Sequence, residues 1–126
     1  MTDQEYRRVY QDMVQAMDDG VGQIIRSLRE QGVLDNTIII YTSDNGGEKV
    51  AAEKYPGNNG FFRGWKGGAY EGGCRVPAIF YYPKAWGHRK TSEPMHCIDF
   101  MPTFLDMCNV KNPRKVDGVS MLPTLE

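Results

Sequence analysis

The sequence predicts an α/β fold with a mostly parallel, helix-covered sheet. Three observations predict it: a long amphipathic stretch at the start, two short β-branched or aromatic runs without polar alternation, and a second amphipathic stretch after them. At 126 residues the chain has the length of one domain. Its 15 basic and 16 acidic side chains leave a net charge of -1 with no cluster of Lys or Arg, which argues against nucleic acid and anionic membranes as partners. No apolar run approaches the roughly 18 to 20 residues that span a bilayer. Residues 1–6 carry no secretory signal, and the compartment stays open.

The first element is a helix over about 3–31. Tyr6, Val9, Tyr10, Met13, Val14 and Met17 recur at steps of three and four, and the stripe continues through Val21, Ile24 and Leu28. Thr2 with Glu5 has the capping-box form, and Gly32 is placed to end the helix in a left-handed conformation. Gly20 and Gly22 each weaken its interior by about 0.5–1 kcal/mol relative to Ala, which points to something packed close to the backbone there. Residues 37–42, Thr-Ile-Ile-Ile-Tyr-Thr, read as a strand buried on both faces. A second strand over about 76–82 has Pro77 near its start, where proline is tolerated. Between the strands, residues 43–75 form a loop that holds nine of the fourteen glycines, a length that in a compact domain marks function. A short helix follows over about 99–108, with Asp99 at its cap, Pro102 in its first turn and Met101, Phe104, Leu105 and Cys108 on one face. Beyond Asn109 the sequence reads as loop with at most a last turn.

The three cysteines, Cys74, Cys97 and Cys108, are odd in number and lack Cys-x-x-Cys spacing, which excludes a closed disulfide framework and a zinc ribbon. Cys74 reads as a buried thiol, His88 as a loop-surface residue and His96 as structural.

Two segments could carry chemistry. The first strand runs into Ser43-Asp44-Asn45-Gly46-Gly47, and ligands in open α/β sheets collect beyond the carboxyl ends of strands. Asp44 and Asn45 offer adjacent hard oxygens suited to Ca²⁺ or Mg²⁺. The same four residues, Asp-Asn-Gly-Gly, are also ordinary turn chemistry. Further on, glycines flank Lys66, whose compact ammonium can hold an anionic ester or can equally face solvent from a flexible loop. It is not a Walker-type phosphate loop, because no Gly-Lys-Ser or Gly-Lys-Thr is present.

The order of these motifs resembles the arylsulfatase family. The carriers are Gly-Val-Leu-Asp-Asn-Thr-Ile-Ile-Ile-Tyr-Thr-Ser-Asp-Asn-Gly-Gly, then Arg-Gly-Trp-Lys-Gly-Gly-Ala-Tyr-Glu-Gly-Gly-Cys-Arg-Val-Pro, then Ile-Asp-Phe-Met-Pro-Thr, and they span about Tyr6 to Leu125. The resemblance implies an alkaline-phosphatase-like α/β/α sandwich, of which residues 1–126 would be one partial domain. It implies hydrolysis of sulfate monoesters, Ca²⁺ ligation by Asp44 and Asn45, and sulfate binding with catalytic assistance by Lys66. Asp18, Glu71, Arg75, Asp99, Pro102 and Thr103 match recurrent family positions and read as scaffold.

The family's nucleophile is a formylglycine made from the cysteine of a Cys-x-Pro-Ser-Arg segment, which these 126 residues do not contain. Cys74 does not replace it, being followed by Arg75, Val76, Pro77 and Ala78. The expectation is therefore a piece of a sulfatase catalytic domain, inactive by itself, whose partners are a sulfate ester or sulfate ion, the missing upstream sulfatase segment, and a second copy of the chain in a homo-oligomer. The alternatives are a non-catalytic stand-alone module, or a phosphodiesterase or phosphonate-ester hydrolase of the same superfamily, against which Asn45 argues because its amide oxygen suits a hard cation.

Overall fold

The computed structural model describes residues 2–48, 57–111 and 114–126. Residues 49–56 of the 43–75 loop, and with them Lys49 and Lys54, lie outside the described residues. Helices and strands are both present, in keeping with an α/β class. The chain divides into two compact units, Met1–Tyr81 and Tyr82–Glu126.

In the first unit, α1 (Asp3–Glu30) starts at a full capping box: the Glu5 amide donates to the Thr2 hydroxyl at 3.3 Å and the Thr2 amide to the Glu5 carboxylate at 2.6 Å. Gly32, at φ 70°, ends it as expected, with the Val33 amide reaching back to the Leu28 carbonyl at 3.0 Å. The apolar stripe is only partly covered: Val21, Ile25 and Leu28 are half-buried, but α1 has no buried residue, and Met13 and Ile24 are 65 % and 59 % exposed. Nothing among the described residues packs on Gly20, so the close neighbour expected there is absent; only the Arg26 side chain approaches Gly22. None of the described helices is long and apolar enough to cross a membrane.

A single 3₁₀ turn at Leu34–Asn36 buries Leu34 and leads into β1 (Ile39–Thr42). β1 pairs with β2 (Ala78–Tyr81) from Ile39 opposite Tyr81 to Thr42 opposite Ala78. The pairing is antiparallel, which corrects the parallel arrangement expected of these two strands. Parallel pairing needs a crossover that returns the chain to the starting end of the strand. Among the described residues of the connection the only helix is α2 (Glu71–Cys74), a single turn, and β2 begins opposite the end of β1. The strands are also not covered on both faces: Thr42 is exposed and Ile79 is 60 % exposed. Tyr41 reaches α1, its hydroxyl donating to the Met17 sulfur at 3.4 Å.

In the second unit a 3₁₀ turn, Cys97–Asp99, runs into α3 (Phe100–Met107), and α4 (Leu122–Leu125) closes the chain. Asp99 stands at the cap position of α3, but its side chain does not cap that helix. Its carboxylate instead accepts the His96 amide and the Val119 amide, both at 2.9 Å, and is buried in doing so. His96 has the structural role expected of it, its Nδ1 accepting the Ile98 amide at 3.3 Å. Thr103, 1 % exposed, donates to the Asp99 carbonyl at 2.6 Å and accepts the Met121 amide at 2.8 Å. These polar ties hold the segment before α4 to α3, and Met121 and Leu125 are buried beside them.

Candidate functional site

The site begins where β1 ends. The Ser43 hydroxyl donates to the Asn45 carbonyl at 2.9 Å, which tightens the chain into a turn. The Asn45 amide nitrogen donates to the Gly46 carbonyl at 2.9 Å, so its side-chain oxygen is the end left to act as acceptor or ligand. The Asp44 carboxylate is exposed and Asn45 half-buried.

The expected cation loop and the expected anion loop are brought together by backbone hydrogen bonds. The Lys66 amide donates to the Gly47 carbonyl at 3.0 Å, two residues beyond Asn45. The Gly46 amide donates to the Gly73 carbonyl at 3.0 Å, and the Gly72 amide to the Arg63 carbonyl at 2.8 Å. Gly46, Gly72 and Gly73 are buried in this crossing. A Cβ on Gly72 would stand 2.8 Å from the Arg63 and Phe62 carbonyl oxygens and nearer still to that of Gly64, and one on Gly46 would run into the Gly72 carbonyl. The glycines here permit close approach of backbone to backbone.

Of the cations in the second segment, two are engaged. The Arg63 guanidinium lies over the Tyr70 ring at 4.0 Å. Arg75 pairs with Glu71 at 3.2 Å and lies 5.1 Å from the centre of the Phe62 ring. Lys66 is exposed and has no ion pair or ring contact among the described residues, which leaves its ammonium open to a ligand.

Sequence reasoning missed Asn59. Its side-chain oxygen accepts the Gly47 amide at 2.8 Å, and its nitrogen donates to the Gly64 carbonyl at 3.0 Å and the Gly47 carbonyl at 3.4 Å. The available signal was Asn58-Asn59-Gly60, which reads only as a turn. Part of it is one: Asn58 accepts the Gly60 amide at 2.7 Å, with Gly60 at φ 60°. Cys74 is exposed, against the buried thiol expected, because the buried positions of α2 are Gly72 and Gly73. Its thiol faces the Gly68 carbonyl at 3.6 Å.

A cation placed here would meet one carboxylate, from Asp44, and one amide oxygen, from Asn45. These are hard donors of the kind Ca²⁺ and Mg²⁺ take, and no cluster of three or more His, Cys, Asp or Glu accompanies them among the described residues. The donors fit such an ion in kind and supply part of its coordination.

A sulfatase family model matches residues 1–110. The chain belongs to the sulfatase family. Over 122 residues, 92 % of the chain, it is 38 % identical to an N-acetylgalactosamine-6-sulfatase of Rattus norvegicus, of which it covers 23 %. It is 40 % identical over 124 residues, 98 % of the chain, to an N-acetylglucosamine-6-O-sulfatase of Bacteroides thetaiotaomicron, covering 21 % of it. It is 38 % identical over 125 residues, 94 % of the chain, to a steryl-sulfatase of Homo sapiens, covering 21 % of that protein. This sulfatase-family chain thus spans about a fifth of the length of these relatives. The match takes in Asp44, Asn45, Asn59 and Lys66, all within residues 1–110.

Proposed function

We propose that this chain supplies the cation-holding and sulfate-holding loops of a sulfatase active site, and that the whole site hydrolyses sulfate monoesters. The observation that carries the reading is the hydrogen bond from the Lys66 backbone amide to the Gly47 carbonyl, which ties the backbone of the lysine's loop to the Asp44-Asn45 turn, while the lysine's ammonium has no ion pair or ring contact among the described residues. In this reading Lys66 holds the sulfate oxygens and stabilises the charge that grows on them during hydrolysis. Asp44 and Asn45 hold a Ca²⁺ ion, which when bound supplies Lewis-acid polarisation of the same oxygens. Asp44 reaches it as a charged ligand, while Asn45, its amide nitrogen tied to Gly46, presents a neutral oxygen in a fixed orientation.

The nucleophile, a formylglycine in the family, belongs in this reading to a Cys-x-Pro-Ser-Arg segment outside these 126 residues, and Cys74 does not take its place. The two strands join a larger α/β/α sandwich in which further strands extend the sheet and helices cover its exposed faces. The 126-residue chain by itself therefore binds sulfate and turns over no aryl sulfate. Support comes from the family membership, from the names of the sulfatases it matches, and from the disengaged Lys66 ammonium.

The test is a sulfate titration of the ¹⁵N-labelled chain. Amide shifts concentrate at Lys66 and at Asp44 to Gly47, and disappear in Lys66→Ala. Shifts that persist in Lys66→Ala, or that avoid both loops, would refute the assignment.

A further inference from the structure

We propose that Asn59 is a positioning residue that couples cation binding at Asp44-Asn45 to anion binding at Lys66, an inference that rests on the reading given under Proposed function. Gly47 lies two residues after Asn45, and Gly64 two residues before Lys66. One half-buried carboxamide grips both: its oxygen takes the Gly47 amide at 2.8 Å, and its nitrogen bonds the Gly64 carbonyl at 3.0 Å and the Gly47 carbonyl at 3.4 Å. The Gly47 carbonyl thereby accepts from Asn59 and from the Lys66 amide together.

A planar amide with its donor and acceptor at fixed positions sets the distance and orientation between two loops. Asn59 is held for this task by its own backbone, whose carbonyl accepts the Phe62 amide at 3.1 Å. The other ties between the loops, Lys66 to Gly47 and Gly46 to Gly73, are backbone bonds that no substitution at 59 removes. Loss of Asn59 therefore leaves both loops in place and loosens their register. In the intact site a cation ordering the Asp44-Asn45 turn also orders Lys66, because the same amide holds both. Ordering supplied by the first ligand need not be supplied again by the second, which is positive coupling.

The experiment uses the 126-residue chain, phenyl sulfate as the anion and Ca²⁺ as the cation, with the Lys66 amide shift as the readout. Asn59→Asp keeps the shape and the acceptor of the Gly47 amide but loses both nitrogen donors, and Asn59→Ala removes the group without adding charge. Asn58→Ala is the control, since it loses the turn bond to the Gly60 amide in the same loop without touching Gly47 or Gly64. In the unaltered chain near-saturating Ca²⁺ tightens phenyl sulfate by about fivefold, the lower end of ordinary coupling. Asn58→Ala keeps that gain. Both Asn59 variants still show the Lys66 shift with phenyl sulfate alone, and their gain from Ca²⁺ falls below about twofold. An undiminished gain in the Asn59 variants would overturn the role of Asn59, as would an equal loss in Asn58→Ala, which would mean that any loosening of the loop suffices. If the unaltered chain shows no phenyl sulfate response, or Lys66→Ala shows the same one, the site reading itself fails and the coupling with it.

Discussion

The same substitution, glycine to alanine, should act in opposite directions at two positions of this chain. At Gly72 the added Cβ would meet three backbone carbonyls, two of them at 2.8 Å and the Gly64 oxygen nearer. Ordinary carbon-to-oxygen contacts start at about 3.3 Å, so backbone must move by at least half an ångström with no flexible side chain to absorb it. Overpacking of this kind costs about 1–3 kcal/mol. The Gly72 amide's bond to Arg63 sits at the point of strain and is worth about 1 kcal/mol more. The closed crossing of the two loops should therefore weaken by about 2–4 kcal/mol, which is an opening of about 30- to 1,000-fold. At Gly20 nothing lies within 4 Å of the new Cβ and the residue is helical, so Ala should stabilise α1 by about 0.5–1 kcal/mol. Amide hydrogen exchange followed residue by residue reads both effects. In Gly72→Ala the amides of Gly46, Lys66 and Gly72 should exchange faster by one and a half to three orders of magnitude, while those of α1 stay as they were. In Gly20→Ala the α1 amides should slow. Unchanged exchange at Lys66 and Gly72 in Gly72→Ala would refute the argument that backbone proximity requires glycine there.

Thr103→Val should destabilise the second unit by about 1–3 kcal/mol, because it strands the buried Met121 amide, whereas Thr103→Ser, which keeps the hydroxyl, should cost under about 1 kcal/mol. A denaturation midpoint for the valine variant at or above that of the serine variant would contradict this. Ca²⁺ should bind the 126-residue chain only in the millimolar range, since Asp44 and Asn45 supply two of the six to eight oxygens the ion takes, and calorimetry should show the binding lost in Asp44→Ala. Micromolar binding would reveal ligands beyond these two. The exposed part of the α1 stripe, with Met13 and Ile24 more than half exposed, should drive self-association of the chain. Light scattering that gives a monomer mass across a wide concentration range would count against it.

What the sequence determined by itself was whatever depends on near neighbours and on composition. The capping box at Thr2 and Glu5 and the left-handed stop at Gly32 involve residues three to five apart, and they occur where local hydrogen-bonding chemistry puts them. The family was legible in the order of its motifs, since spaced identities survive without any knowledge of contacts. Strand direction was not legible. The apolar runs at 37–42 and 76–82 are compatible with either pairing, and the structure pairs them antiparallel, with no helix longer than α2 among the described residues of their connection. Nor was burial legible: burial of a strand depends on which elements pack on the two faces of its sheet, and here Tyr41, Ile79 and Tyr81, which read as doubly buried, are exposed while Ile39 and Ile40 are half-buried. The role of Asn59 lay furthest from reach. Asn-Gly signals a turn in any sequence, and only the tertiary structure decides that this carboxamide spans from Gly47 to Gly64, because those partners are set by how the loop crosses itself and by no spacing along the chain.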